Sequence, residues 1–124
     1  MSKVVCIIPA RMASTRFPGK PLAKMLGHSM IEHVYRRVCL AEHVDEVYIA
    51  TCDQEIADEA ERFGAQAIMT SATHTRGTDR VAEAAQKIEG DIIINVQGDE
   101  PLVDPKSLDE AIVMMKENPQ VAMR

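Results

Sequence analysis

Short, continuous apolar runs recur along the chain, and stretches with the apolar period of a helix separate them. The first run, Val4–Ile8, is rich in β-branched residues and ends at Pro9, which is typical of a strand buried on both faces. Further runs follow at Glu46–Ala50, Gln66–Met69 and Asp91–Val96. Strands and helices that alternate in this way form a mostly parallel sheet with helices on both faces. We therefore predict an α/β protein with a Rossmann-like, three-layer α/β/α fold.

Local signals mark the ends of the four intervening helices. The candidate N-cap residues are Ser29, Asp53, Thr78 or Asp79, and Asp104. Glu32 completes a capping box with the first of them, and Pro105 at the first helical position supports the last. Gly64 and Gly90 are expected to stop the second and third helices. The fourth helix is predicted to run as far as Asn118.

Composition and charge exclude several classes of protein. With 124 residues, of which 46% are hydrophobic, the chain is long and apolar enough for one folded domain, residues 1–124. A net charge of −5 and 3% aromatic residues argue against a nucleic-acid binder. We expect no membrane span and no signal peptide, and hence a cytoplasmic protein. Three cysteines without a C-x-x-C pair argue against disulfides, and the histidine spacing does not suggest zinc.

The loop after the first strand carries three basic residues, at the edge of the sheet where such folds bind ligands. These residues are Arg11, Arg16 and Lys20, and Gly19 permits a close approach of the backbone. Proline rather than Ser or Thr follows Gly19-Lys20, so the loop is not a P-loop. Guanidinium and ammonium groups at this edge suit a nucleoside triphosphate. The alternative is a solvated loop whose basic side chains neutralise nearby acids.

Two adjacent acids follow the fourth strand at the same edge. Asp99 and Glu100 come directly after Gly98, which keeps the backbone open. Asp99 is suited to Mg²⁺, a cation that proteins hold with one or two carboxylates together with phosphate oxygens. The alternative is that both acids cap the turn that follows.

A third polar segment, from His74 to Arg80, precedes the third helix. Backbone N–H groups at a helix start, together with Thr78 and the pair Arg76 and Arg80, could bind an anion or a polar ring. The alternative is that Thr78 and Asp79 act only as helix caps. By itself, this segment does not decide between the two.

Together, the three loops resemble those of the 3-deoxy-manno-octulosonate (Kdo) cytidylyltransferases. The matching stretches are residues 8–11, 13–16, 18–22, 30–35, 77–80 and 95–101. The Ser-Thr-Arg and Pro-Gly-Lys-Pro pattern is shared with other sugar-activating cytidylyltransferases. Its combination with Gly-Thr-Asp-Arg and Val-Gln-Gly-Asp-Glu-Pro is far more specific, and the similarity runs in register along essentially the whole chain.

The resemblance implies the nucleotide-diphospho-sugar transferase fold and a transfer reaction. The anomeric hydroxyl of Kdo, or of an amino analogue, attacks the α-phosphorus of CTP, which gives CMP-Kdo and pyrophosphate for lipopolysaccharide assembly. Catalytic roles would belong to Arg11, Lys20 and Asp99, of which Asp99 would also bind Mg²⁺. Substrate-binding roles would belong to Ala10, Arg16, Gly77, Thr78, Arg80 and Gln97.

The chain departs from the family pattern in two ways. It has Thr51-Cys52-Asp53 where the family usually has Thr-Asp-Asp, which removes one polar group. It also matches only the N-terminal half of such an enzyme, the part that binds CTP. The other half normally supplies a second metal carboxylate, most sugar-binding residues and the dimer interface. We therefore expect either self-association, as a homodimer or otherwise, or a longer parent chain.

Two further functions stay open at this stage. One is a cytidylyltransferase for another acidic sugar, such as a sialic acid. The other is a non-catalytic nucleotide-binding or interaction module left by truncation. The presence of Arg11, Lys20 and Asp99 favours an enzyme, whereas the missing half favours the module.

Overall fold

A computed structural model describes residues 3–12, 20–72, 77–98 and 103–117. In chain order, its elements are β1 (Val4–Pro9), a 3₁₀ helix (Lys20–Leu22), β2 (Lys24–Met25), β3 (His28–Ser29), α1 (Met30–Cys39), β4 (Glu46–Thr51), α2 (Gln54–Arg62), β5 (Gln66–Met69), α3 (Gly77–Ala85), β6 (Ile92–Asn95) and α4 (Pro105–Glu117). All four predicted strands and all four predicted helices are present, with small shifts at their ends.

The four longer strands form one parallel sheet in the order β5-β4-β1-β6. All six residues of β1 are buried, as its continuous apolar run predicts. In the described part of the chain, β5 and β6 are the edge strands, because each pairs with one neighbour. Strand β1 therefore forms the centre of the sheet together with β4.

The two faces of the sheet support separate apolar clusters. Val4, Cys6 and Ile8 point to the face covered by α1 and α2, where Ile112 of α4 is also buried. Val5 and Ile7 point to the opposite face, where they pack against α3. The three-layer α/β/α fold is thus confirmed, with most helices on one side. Burial raises the pKa of Cys6 to about 12, so this thiol stays protonated in the core.

The start of α4 agrees with the sequence prediction, whereas both ends of α3 differ from it. The helix α4 begins at Pro105 as predicted. The helix α3 begins at Gly77, so Thr78 and Asp79 lie inside its first turn, and neither is the N-cap residue that we predicted. It ends at Ala85, well before Gly90. None of the described helices is long and apolar enough to cross a lipid bilayer.

A small hairpin, β2–β3, precedes α1 and was not predicted. Its two-residue turn places Leu26 at φ 55° and Gly27 at φ 85°, the left-handed conformation that tight hairpin turns require. The Leu26 side chain is 93% exposed. Strands of two residues are too short to show an alternating pattern, so the sequence gives little sign of this hairpin.

A buried acid joins α1 to its surroundings. The Ser29 hydroxyl accepts the Glu32 N–H at 3.3 Å, which confirms the predicted N-cap. The Glu32 side chain is 1% exposed and receives Arg36 at 2.7 Å, Arg62 at 2.6 Å and His28 at 3.1 Å. Burial opposes its ionisation, yet these donors outweigh that effect and lower the pKa of Glu32. An ionised carboxylate therefore connects α1 to α2.

Candidate functional site

The site begins where β1 and β6 lie side by side in the sheet. The chain reaches β4 and β6 on opposite sides of β1, so the strand order reverses at β1. Open α/β sheets bind ligands outside the carboxyl ends of the strands at such a reversal. Here the Gly98 N–H donates to the Pro9 carbonyl at 3.2 Å, which joins the two loops that leave these strands.

Gly98 is required by this close approach. A Cβ atom at this position would lie 2.9 Å from the Pro9 carbonyl oxygen and 3.2 Å from both Ala10 Cβ and Ile31 Cδ1. The nearest of these atoms is backbone, which cannot move aside without shifting β1. The sequence prediction was that Gly98 keeps the backbone open; in the structure Gly98 is buried instead, because the loop after β6 packs directly on the loop after β1.

Arg11 lies between two backbone hydrogen bonds. The Ala10 N–H donates to the Ala50 carbonyl at 3.0 Å, and the Met12 N–H donates to Asp53 Oδ2 at 2.8 Å. Ala10 is buried and Arg11 is half-buried. Among the described residues, no acid forms an ion pair with the Arg11 guanidinium. The loop therefore places a cation at the ligand edge that none of the acids in the described ranges pairs with.

Asp53 differs from its predicted role. It occupies the N-cap position of α2, but its carboxylate makes no capping hydrogen bond to that helix. The same carboxylate instead accepts the Met12 N–H from the loop after β1, and Cys52 Sγ lies 3.7 Å from it. Sequence reasoning assigned Asp53 to a cap and missed this contact. The position of Asp53, in the turn after a strand at the ligand edge, could have indicated this role. The same kind of position was the reason for considering Asp99.

Arg80 is buried at the carboxyl end of β5. Its side chain is 2% exposed and donates to the Thr70 hydroxyl at 2.6 Å and to the Ser71 carbonyl at 3.2 Å. The Thr70 N–H donates to the Thr51 carbonyl, so this guanidinium is attached to the loops after β5 and β4. Gly77, at the start of α3, lies on the same helix one turn earlier. These contacts involve a different pair of strands from those beside Arg11.

The remaining candidates are distributed unevenly over the described residues. Gln97 is half-buried next to Gly98, and its Nε2 lies 3.3 Å from Asn95 Oδ1. Lys20 begins the 3₁₀ helix, and Thr78 lies in the first turn of α3. Arg16 and Asp99 lie outside the described residues, as does Glu100. Within the described ranges, no group of three or more His, Cys, Asp or Glu side chains is arranged to hold a metal ion.

The arrangement has the chemistry of an anion site. It combines a cation that has no acidic partner in the described part of the chain, a crowded glycine and backbone held at fixed positions, all at the β1–β6 edge. Such groups stabilise negative charge without needing to reorganise when it arrives. A phosphate-bearing ligand fits this edge of the sheet better than an apolar one.

Comparisons with known proteins agree with this chemistry. The cytidylyltransferase family model matches residues 5–124. A 3-deoxy-manno-octulosonate cytidylyltransferase of Geobacter metallireducens is 52% identical over 98% of this chain, which covers 48% of that protein. The chain thus spans about half the length of the curated relatives that it matches.

Solved structures give the same result. One is a CMP:2-keto-3-deoxy-manno-octonic acid synthetase complexed with CTP, which is 45% identical, has a TM-score of 0.92 and aligns with 95% of this chain and 49% of its own. A cytidylyltransferase from Leptospira borgpetersenii is 30% identical, with a TM-score of 0.83, over 95% of this chain and 50% of its own. The Rossmann-like nucleotidyltransferase fold is therefore shared with these proteins.

Proposed function

The chain belongs to the cytidylyltransferase family, and from this we propose that it is the nucleotide-binding half of an enzyme that activates Kdo with CTP. The anomeric hydroxyl of the sugar attacks the α-phosphorus, the bond from that phosphorus to the bridging oxygen breaks, and CMP-Kdo and pyrophosphate form. Two observations support this proposal. Relatives whose sequences are 52% and 53% identical to this chain are both named 3-deoxy-manno-octulosonate cytidylyltransferase, and a similar solved structure is a complex with CTP. The use of CTP makes the cytoplasm the site of the proposed reaction.

The observation that carries this proposal is the junction of the β1 and β6 ends around Gly98 and Arg11. Phosphoryl and nucleotidyl transfer depend on positioning and on neutralising charge rather than on covalent chemistry by the protein. Arg11 supplies a forked donor for the triphosphate, with Lys20 and Arg16 as further cations of the same loop. Ala10, which is small and buried, would contact the nucleotide through its backbone at the strand end.

The second group of proposed contacts is formed by α3 and the loop after β6. Gly77, Thr78 and Arg80 would line the nucleotide or sugar pocket, and Gln97 would contact the sugar acid. In the case of Arg80, the buried guanidinium supports this role by fixing the loops after β4 and β5 in place. Gln97 is next to Gly98 and therefore at the β1–β6 edge.

Asp99 is proposed to hold Mg²⁺. A carboxylate that follows Gly98 in the segment after β6 suits a hard cation that takes its other ligands from phosphate oxygens and water. When bound, the ion would neutralise the charge that develops on the phosphates. Arg11 and Lys20 would orient the triphosphate from the side of β1.

Self-association is the proposed state of the isolated chain. In the described residues, β5 and β6 each leave one edge of the sheet unpaired, and the chain covers about half of its relatives. Unpaired strand edges bind other strands readily. Size-exclusion chromatography with light scattering should therefore give a mass above that of a monomer; a stable monomer would contradict this proposal.

Calorimetry tests the proposed function directly. With Mg²⁺ present, CTP should bind the folded chain, and ATP should bind at least about tenfold more weakly, because a pyrimidine-specific pocket leaves a purine without matched hydrogen bonds. The control is the chain in which Lys20 is replaced by Ala, which should bind CTP more weakly by about 1.5–3 kcal/mol. A folded chain that binds neither nucleotide, or both equally, would refute the proposal.

A further inference from the structure

We propose that Asp53 is a positioning residue for the nucleotide site, and that it acts through the Met12 N–H to hold Arg11 at the ligand edge. This inference rests on the proposed function, because Arg11 is the group through which Asp53 would affect nucleotide binding. Asp53 itself need not touch the nucleotide. Its role is to fix the loop that carries the cation.

The contact that carries this inference joins two loops far apart in the chain. Asp53 Oδ2 accepts the Met12 N–H at 2.8 Å across 41 residues. Hydrogen bonds to an ionised carboxylate are about twice as strong as neutral ones. Met12 directly follows Arg11, and the preceding residue, Ala10, is bonded to Ala50 of β4. The backbone on both sides of Arg11 is therefore attached to β4 or to the turn that follows it.

The Asp53 side chain extends from a rigid part of the fold. Its own N–H donates to the hydroxyl of Thr51, a residue with no exposed surface, at 3.1 Å. Its carbonyl accepts the N–H groups of Ile56 and Ala57 in the first turn of α2. The backbone of Asp53 is thus fixed by β4 and α2, and its carboxylate is free of any capping bond to α2. It can hold the loop after β1 without strain on α2.

The other end of β1 supplies a matched control. Asp45 Oδ2 accepts the Val4 N–H at 2.7 Å, also across 41 residues and also part-buried. This bond has the same chemistry and the same chain separation as the one between Asp53 and Met12. It lies at the amino end of the strand, away from the ligand edge. Loss of either bond should destabilise the chain, but only loss of the Asp53 bond should affect nucleotide binding.

The experiment compares three variants of the full 124-residue chain: Asp53→Ala, Asp53→Asn and Asp45→Ala. CTP affinity is measured by calorimetry, amide hydrogen exchange at Met12 by NMR, and thermal unfolding by circular dichroism. Asp53→Ala should weaken CTP binding about tenfold and abolish protection of the Met12 amide. Asp53→Asn keeps an acceptor oxygen and should lose less than about threefold, with partial protection. Asp45→Ala should melt earlier and bind CTP within about twofold of the parent.

Three results would overturn the assignment. The first is CTP binding by Asp53→Ala equal to that of the parent chain. The second is an equal loss in Asp45→Ala, since the effect would then be one of general stability. The third, which also serves if Asp53→Ala does not fold, is a loss of CTP binding in Asp53→Asn while protection of the Met12 amide is retained, since CTP binding would then not depend on this bond. A different result would separate the two proposals: the parent chain binds no CTP, and Asp53→Ala still loses protection of the Met12 amide. This would refute the proposed function and leave the role of the Asp53 bond to Met12 intact.

Discussion

The two ends of the central strand β1 are built differently. At the amino end, the Lys3 N–H donates to Asp91 Oδ2 at 2.6 Å and the Val4 N–H donates to Asp45 Oδ2 at 2.7 Å. Each acid also returns a bond, because the Asp91 N–H donates to the Lys3 carbonyl and the Asp45 N–H to the Val4 carbonyl. The Lys3 ammonium pairs with Glu46 at 3.1 Å. At this end, the Lys3 ammonium has an acidic partner, and both aspartates accept backbone N–H groups.

At the carboxyl end, hydrogen bonds likewise hold the backbone, but the cation is not paired with an acid of the described residues. The N–H groups of Ala10, Met12 and Gly98 all have acceptors within the chain. Arg11, by contrast, has no acidic partner among the described residues. A fold can use the same hydrogen-bond chemistry to close one end of a strand and to leave a charged group available at the other. Within the described part of the chain, the cation without an acidic partner therefore distinguishes the ligand edge better than the backbone contacts do.

The largest effect is expected from the two glycines that flank β6. Gly98→Ala would bring Cβ to 2.9 Å from the Pro9 carbonyl oxygen, a backbone atom. We expect the free energy of unfolding to fall by about 2–3 kcal/mol and CTP binding to be lost, because the two loops must separate. Chemical unfolding and CTP calorimetry measure the two effects.

Gly90→Ala is the matched change at the amino end. Its Cβ would lie 2.8 Å from Val5 Cγ2 and 3.1 Å from Ile93 Cδ1, so the contacts are with side chains. The expected cost is about 1–2 kcal/mol with CTP affinity retained. Loss of CTP binding in Gly90→Ala, or its retention in Gly98→Ala, would break the contrast between the ends.

Much of this architecture follows from local sequence patterns. The apolar runs predict all four longer strands, and the pattern at Ser29 and at Pro105 predicts where α1 and α4 begin, because each signal acts within one turn of helix. The alternation of strands and helices predicts the three layers. The Arg11 and Gly98 loops follow from the rule that ligands bind at the carboxyl edge.

The remaining features depend on contacts between distant parts of the chain. Asp53 is a suitable N-cap by composition, and only the fold brings the Met12 N–H to its carboxylate. Glu32 has the spacing of a capping box, but its buried side chain receives Arg62 from another helix. The start of α3 was predicted two or three residues late because Asp79 favours any position in a first turn, not the cap alone.

The next largest effect is expected at Arg11. Since this side chain has no acidic partner among the described residues, Arg11→Ala should change the free energy of unfolding by less than about 0.5 kcal/mol. CTP affinity should fall by about 1.5–3 kcal/mol, the size of a hydrogen bond to a charged group. Calorimetry with CTP and urea unfolding measure the two quantities. A variant that loses stability but still binds CTP would show that the charge at this end is structural.

The contact between α1 and α2 lies away from both ends of β1, and acid pH should weaken it. Glu59 accepts the Ser29 hydroxyl at 2.6 Å and the Arg62 guanidinium at 2.7 Å. Its hydrogen bond from Arg62 is the main cause that lowers the pKa of Glu59 to about 2 from an ordinary value of 4.5. The folded state therefore binds this proton less readily than the unfolded state does. The stabilisation is complete above the ordinary value and is lost as pH falls from 4.5 towards 2.

Glu59→Gln tests this sign. At neutral pH, the variant should unfold with about 1–2 kcal/mol less free energy than the parent, and the difference should shrink as the pH falls towards 2. CTP affinity at neutral pH should be unchanged, because Glu59 belongs to neither end of β1. Urea unfolding at several pH values measures the difference. A gap that stays constant or widens on acidification would contradict the prediction.

The smallest effect is expected from Lys3, the paired cation at the amino end of β1. The Lys3 and Glu46 side chains are 41% and 38% exposed, so water and salt screen their attraction, and exposed pairs of this kind contribute little. Their mutual hydrogen bond raises the pKa of Lys3 and lowers that of Glu46, so the pair is ionised at neutral pH. Lys3→Ala should lower Tm by less than about 2 °C, and the difference should vanish in about 1 M salt. CTP affinity should be unchanged, whereas a loss as large as that of Arg11→Ala would mean that both ends of β1 contribute charge to the ligand.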